Sequence, residues 1–500
     1  MIKNFKWLFL VSLTFIACSE DDDVVTYDTS NGLPLTSGTL DLSKYVALGD
    51  SFAAGFSDNA LFIEGQKGAY TNIIAQQFAL AGGGAFTTPF MADNIGGFNS
   101  GGVQIPQFGP RLYFNGSGPV PVSGISGTSI TDHLAGSFNN MGIPGAKVTH
   151  LGFAGYAAGN PYFGRIASSA SATVVGDAMA QSPTFFSLWI GGNDVLGYAT
   201  SGGNPASPIT PTATFTTAYN ALAAQLATGG RKGVVANLPY VNNLPYFITV
   251  PTNPIPGLSP AQAGQLNFLF GGINSALAGA SLPPRFATIV ADDGNPATTE
   301  KNPLLIVDET LINISTQITA ALTSTLGLAT ATYVGNLYGQ ARHASNATAT
   351  RDYILLPARA IIGTTQAGAP PTFSTIGVTY PMQDPTTLTA AETLEVKNAT
   401  DSYNATIQAA ATANDLAFVD AKAVMDLLGT TGITANNFTL TSTYVTGGAF
   451  SLDGVHPSPR GYALIANKFL EAINLKYGSN FKGVNLGNYR ILFPQNPANF

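Results

Sequence analysis

The sequence predicts an α/β protein built on a doubly wound parallel sheet. Three observations point there. Short apolar runs recur along the chain and end in Gly, Asn, Asp or Pro, as strands buried on both faces of a parallel sheet do. Stretches with the apolar spacing of amphipathic helices lie between and after them. The chemically distinctive residues follow directly on apolar runs, at the strand ends where open α/β sheets form their sites.

In chain order, the expected strands are Tyr45–Leu48, Phe138–Met141, Phe185–Ile190, Gly233–Ala236 and Ala417–Val419. The expected helices are Tyr70–Leu80, Thr214–Ala227, Pro260–Leu277, Ala390–Ala413 and Gly461–Leu475. Two connections exceed a simple βα loop: residues 81–132, rich in Gly, Pro and Phe, and residues 251–384, which mix helical and loop-like pieces. Both read as insertions that shape a substrate cleft, with a small second domain around residues 280–385 as the alternative. The folded domain then spans residues 41–478, and 479–500 form a C-terminal tail.

Composition narrows the function classes. The 500 residues are 45% hydrophobic, and 55 Gly with 31 Pro stay below the level of a low-complexity chain, so the protein is globular. Only 10% are charged and the net charge is −7, which leaves no basic footprint for nucleic acid. Cys18 is the sole cysteine and the histidines are His133, His150, His343 and His456, which excludes a disulfide framework and a Cys-rich zinc site. No H-E-x-x-H is present, and Asp292-Asp293-Gly294 is more simply a turn than a calcium loop, so no metal and no cofactor are expected.

The first segment is an address. Lys3 and Lys6 precede an apolar run from Trp7 to Ala17 that is too short to span a bilayer. With Phe15-Ile16-Ala17-Cys18 it resembles a bacterial lipoprotein signal, which implies cleavage after residue 17, lipidation of Cys18 and a membrane anchor; an ordinary secretory signal is the alternative. Loss of Lys3 and Lys6 takes the net charge from −7 to −9. The run Ser19-Glu20-Asp21-Asp22-Asp23 resembles the surface-export signal of some Gram-negative lipoproteins, or is a solvated acidic linker. An outer-membrane location follows, with the periplasmic and external faces both open. Residues 18–40 are polar and read as a flexible tether.

Three segments carry chemistry. Tyr45-Val46-Ala47-Leu48 runs straight into Gly49-Asp50-Ser51-Phe52, placing Ser51 at a strand's carboxyl end as a simple turn residue or as a nucleophile. Phe185-Phe186-Ser187-Leu188-Trp189-Ile190 ends in Gly191-Gly192-Asn193-Asp194, where Asn193 either donates its amide to an oxyanion or caps the next helix, and Asp194 is structural. Ser451-Leu452-Asp453-Gly454-Val455-His456-Pro457 sets an acid three residues before an imidazole. In such a turn the carboxylate can hold one ring nitrogen while the other faces a serine hydroxyl. His133 and His343 read as surface or loop residues, and His150 as a packing or exposed residue of the stretch after Gly145.

In order, Gly49-Asp50-Ser51, Asn140-Met141-Gly142-Ile143-Pro144-Gly145, Gly191-Gly192-Asn193-Asp194 and Asp453-Gly454-Val455-His456-Pro457 resemble the four blocks of the SGNH/GDSL hydrolases. The blocks span residues 49–457, with Phe52 where the family name has Leu. The resemblance implies a flavodoxin-like three-layer sandwich with five parallel strands in the order 2-1-3-4-5, and ester hydrolysis through an acyl-enzyme. It makes Ser51 the nucleophile, His456 the general base and then acid, and Asp453 the orienting carboxylate. The oxyanion donors become the Ser51 and Gly145 N–H groups and the Asn193 amide, with Gly142 competing for the place of Gly145. Asn237, at the exit of Gly233–Ala236, lies near this set but outside it. No serine stands in a G-x-S-x-G, which argues against an α/β-hydrolase elbow. The substrate is then a small-molecule, lipid or glycan ester, with a carboxylesterase or lipase and a carbohydrate O-acetyl esterase both open. A catalytically idle surface lipoprotein that binds glycan, lipid or protein is the reading from another class.

Overall fold

The computed structural model describes residues 29–295 and 297–496. Its centre is a five-stranded, all-parallel sheet of β1 (Tyr45–Gly49), β2 (Asn140–Gly142), β3 (Phe185–Trp189), β4 (Lys232–Ala236) and β5 (Ala417–Val419), in the spatial order 2-1-3-4-5. Every residue of β1 and β3 is buried, as strands covered on both faces must be. The expected α/β three-layer fold with long insertions is what forms. The second strand starts two residues later than its apolar run. Asn139 leaves the ladder to donate its side-chain amide to the Tyr45 carbonyl at 2.8 Å, while its own N–H and that of Asn140 both reach the Thr87 carbonyl.

Besides four helices of four or five residues (Ile63–Lys67, Tyr156–Gly159, Pro161–Gly164 and Pro245–Ile248), the helices are α1 (Ser51–Ala54), α2 (Tyr70–Leu80), α3 (Val174–Ala180), α4 (Asn193–Thr200), α5 (Thr212–Leu226), α6 (Pro260–Gly279), α7 (Ser315–Leu326), α8 (Leu328–Tyr338), α9 (Ala390–Ala413), α10 (Ala421–Gly429) and α11 (Pro459–Tyr477). Helices α2 and α11 pack together on one face of the sheet, and α5 and α9 on the other. Local chemistry sets their starts. Thr389 and Glu392 close a reciprocal capping box on α9, and Ser458 accepts the Gly461 N–H ahead of Pro459 on α11. Among the described residues no helix is long and apolar enough to cross a membrane.

Register brings the site together. Gly49 pairs with both Gly142 and Trp189, so β1, β2 and β3 end level, and the three following turns lie side by side along one carboxyl edge.

The long connections differ in kind. Residues 81–132 form two short hairpins with little other regular structure, Asn99–Ser100 with Val103–Gln104 and Leu112–Phe114 with Pro119–Pro121. They are fastened by the fully buried Arg111, which donates to the carbonyls of Asn94 at 2.8 Å and Pro494 at 2.7 Å and lies over Phe62. Residues 251–384 pack α6, α7 and α8 around an apolar cluster that includes Phe270, Ile318 and Tyr338, while a second cluster, with Leu304, Ile306 and Met382, gathers strands and loops outside those helices.

Both chain ends depart from expectation. From Thr29 onward the expected tether is hydrogen-bonded along the end of α11: Thr29 bridges Phe481, the Thr36 N–H reaches Asn480 Oδ1 at 2.8 Å, and the Thr39 N–H reaches the Tyr477 carbonyl at 3.0 Å. The expected tail buries Phe481, Leu486 and Phe493. Polar composition hid the first contact because backbone groups make it, and the second needs only three apolar residues.

Candidate active site

The turn after β1 presents Ser51 at the first position of α1, with Asp50 as N-cap accepting the Phe52 N–H at 3.0 Å. As the first helical residue, Ser51 has an N–H with no intrahelical acceptor. Its Oγ lies 2.8 Å from His456 Nε2, across 405 residues of sequence, and His456 Nδ1 lies 2.9 Å from Asp453 Oδ2. The structure therefore joins Ser51, His456 and Asp453 in one hydrogen-bonded chain. The ring packs against Phe56 at 4.6 Å and Phe52 at 5.4 Å between centroids, and only 14% of the side chain is exposed.

Asp453 is fully engaged. Its Oδ1 accepts the N–H groups of Val455 and His456, both at 2.8 Å, and its Oδ2 accepts the Asn59 N–H at 2.9 Å besides the ring. Burial alone would raise this carboxyl, but the His456 charge and the hydrogen bonds from His456 and Val455 outweigh it and hold it below the ordinary carboxylate range. It stays ionised and fixes the ring so that Nε2 faces the serine.

The other two turns supply donors. The Gly145 N–H has no acceptor among the described residues, and this glycine sits at φ 79°, a left-handed conformation that glycine adopts freely. Gly142, its competitor, gives its N–H to Asn140 Oδ1 at 3.0 Å, and a Cβ there would lie 2.3 Å from the Ala54 nitrogen. Gly142 serves close packing of α1 on β2, and Gly145 keeps the free donor. Asn193 opens α4 and donates one amide hydrogen to the Ala146 carbonyl at 3.0 Å, beside Gly145; its second has no acceptor among the described residues. Ser51 and Asn193 line one cleft, together with Asp50, Gly192 and Val455.

Several supports had no counterpart in the sequence reading. Asp58 and Asn59, at φ 51° and 66°, form a two-residue turn closed by reciprocal Ser57 and Ala60 hydrogen bonds, and it is this turn that delivers the Asn59 N–H to Asp453. The Asp-Asn pair was the available signal, though a weak one beside Asn-Gly. Asp58 accepts the Leu452 N–H at 2.9 Å, and burial pushes its carboxyl up to about 7. Asn160 donates to the Pro144 carbonyl at 2.9 Å, steadying the turn that holds Gly145.

Burial likewise pushes Asp50 and Asp194 up to about 6. Asp194 accepts the Val148 N–H at 2.9 Å and so ties α4 to the turn after β2, consistent with a structural part. Asn237 bonds Asp420 Oδ1 at 2.7 Å and lies outside the chain of three.

The remaining histidines stand apart. His133 is exposed, and His150 stacks on Tyr156 with centroids 4.5 Å apart. His343 corrects the surface expectation. It is buried in the strand Ala341–His343, accepts the Ala287 N–H at 2.8 Å and is pushed down to about 4 by burial. Its neighbour Arg342 makes a largely buried ion pair with Asp352 at 2.5 Å.

Among the described residues one trio of acids could meet around a cation, Asp292, Asp293 and Glu300, with ligand oxygens within 4.8 Å of one another. Asp292 and Asp293 are exposed and accept the N–H groups of Gly294 at 2.8 Å and Asn295 at 2.7 Å, as turn carboxylates do. Cys18 and the rest of the expected signal lie outside the described residues. Comparison with models of protein families, with curated proteins and with solved structures returned no match.

Proposed function

We propose that this protein is a serine hydrolase of carboxylic esters, of the SGNH/GDSL kind that its four motifs resemble. One observation carries the reading: the unbroken chain from Asp453 through His456 to the Ser51 hydroxyl, at the sheet edge where the Asn193 amide opens into the same cleft. His456 Nε2 takes the Ser51 proton as Oγ bonds to the ester carbonyl carbon. The carbonyl oxygen gains the negative charge and is met by the N–H groups of Ser51 and Gly145 and the amide of Asn193. His456 then gives its proton to the departing alcohol, leaving an acyl-Ser51. Water, deprotonated by the same ring, releases the acid and restores the hydroxyl. Asp453 remains ionised throughout and orients the imidazole. The residues require no metal and no cofactor for this sequence of steps. The N-terminal resemblance adds a lipid anchor on Cys18 in a bacterial outer membrane.

The test is the intact mass of the protein after exposure to a fluorophosphonate, beside Ser51→Ala. One adduct on the parent and none on the variant is expected. A folded parent that takes up no adduct and hydrolyses no ester would refute the reading and favour an idle binding protein.

A further inference from the structure

We propose that the acyl part of the substrate is an aliphatic chain seated in an apolar pocket between α10 and α11, an inference that rests on the ester-hydrolase reading of Ser51. The pocket encloses about 570 Å³ of empty space, counting its open mouth. It shares Phe52, Trp189, Pro239 and Leu244 with the cleft that holds Ser51 and Asn193, so those four side chains are the wall the two spaces have in common, and an acyl chain on Ser51 reaches the pocket by passing between them.

Depth follows from the helices. Both start close after groups at the carboxyl edge, α10 at Ala421 behind β5 and α11 at Pro459 behind His456. Leu428 and Phe469 line the pocket two to three turns further on, which sets its floor roughly 10–15 Å below the edge. With carbon–carbon bonds of about 1.5 Å, an extended octanoyl chain spans roughly 9 Å and fits that depth.

The walls decide the chemistry. Trp189 has spent its indole N–H on the Asn237 carbonyl at 3.0 Å, and Lys468 has turned its ammonium to Glu471 at 2.8 Å, leaving only its methylenes to the lining. The other lining side chains are apolar. A sugar ring placed there would leave its hydroxyls unpaired, and an acetyl group would leave the space unfilled. Each methylene transferred from water into such a pocket raises kcat/KM by up to about fourfold.

The experiment compares kcat/KM for p-nitrophenyl acetate and octanoate in the full chain and in Val424→Trp and Ile465→Trp. Both residues line the pocket but are only partly buried, so an enlarged ring can fill the space without forcing the helices apart. The parent is expected to favour octanoate at least tenfold, and each variant to lose most of that preference with acetate hydrolysis and fluorophosphonate labelling unchanged. Parent labelling with acetate preferred, or a preference that survives both fillings, would overturn the pocket and leave the ester-hydrolase reading standing.

A second measurement is independent of turnover. The chain has two tryptophans, so Trp7→Phe makes Trp189 the sole indole, and in Ser51→Ala a brominated decanoic acid seated in the pocket must quench its fluorescence. Quenching that a Val424→Phe ring, which adds no indole, blocks supports an acyl site even if Ser51 proves inert; absence of quenching refutes one.

Discussion

Replacing Asp453 by Asn changes one atom type and tests the whole chain of hydrogen bonds. The carboxylate accepts four, two on each oxygen. The amide oxygen can keep the pair from Val455 and His456 N–H, but its NH₂ then faces the Asn59 N–H and His456 Nδ1. Nδ1 must become the acceptor, which moves the ring proton to Nε2, opposite a hydroxyl that needs a base there. Loss of the correct tautomer in such a triad costs roughly 10⁴-fold in kcat, about 5.5 kcal/mol of transition-state stabilisation. The Asn59 N–H left against another donor adds a stability cost of about 1–3 kcal/mol. The assay is kcat on an ester substrate beside a urea unfolding curve for both proteins. A folded variant that turns over within tenfold of the parent would refute the role given to Asp453.

Three further outcomes follow from the geometry. Asn193→Ala removes the proposed oxyanion donor, and kcat is expected to fall about 10²–10³-fold, or ~2.7–4 kcal/mol, with KM little changed; a change confined to KM would assign Asn193 to ground-state binding. Gly142→Ala sets a methyl 2.3 Å from the Ala54 nitrogen and is expected to shift α1 and destabilise the fold, as read by its unfolding midpoint, whereas Gly145→Ala finds nothing closer than Asn160 at 4.0 Å and is expected to act mainly on kcat through its left-handed turn. Asp58 titrates near 7 when folded against an ordinary 3.8, so its contribution favours the fold fully below about 4 and is lost as pH rises through 7, about 4 kcal/mol in all. Asp58→Asn is expected to lose correspondingly less stability between pH 4 and 8 in urea titrations; equal losses in parent and variant would count against a buried, reluctant carboxyl.

How legible the molecule was depended on whether a feature is made by side chains or by backbone. Strands β1, β3, β4 and β5 announce themselves because burial on both faces demands largely apolar runs, and α9 opens on a capping box that can be read letter by letter. Asp453 and His456 are three residues apart, so their pairing was local and visible. The Ser51 contact, 405 residues away, was reachable only through the resemblance of the motifs. His343 misled because its partner, the Ala287 N–H, is supplied by tertiary packing that a polar stretch does not advertise.

The Asp58–Asn59 turn shows why the acid's environment was the hardest part to foresee. A carboxylate three residues before its histidine could stay a loose surface pair, worth little. Here the loop is clamped from outside its own segment: the Asp58 N–H donates to Ser451 Oγ at 3.0 Å, the Leu452 N–H returns to Asp58 Oδ1 at 2.9 Å, and the Asp58 carbonyl accepts the Leu112 N–H of the first insertion at 2.8 Å. Buried Arg111, one residue from Leu112, draws that insertion onto the C-terminal segment through the Pro494 carbonyl. The 81–132 insertion is thus fastened to the acid end of the Ser51–His456–Asp453 chain. By this argument its hairpins serve first to hold Asp453 in register with His456, and loosening the Arg111 anchor should reach the chemistry through the Asp58 turn, not through the cleft.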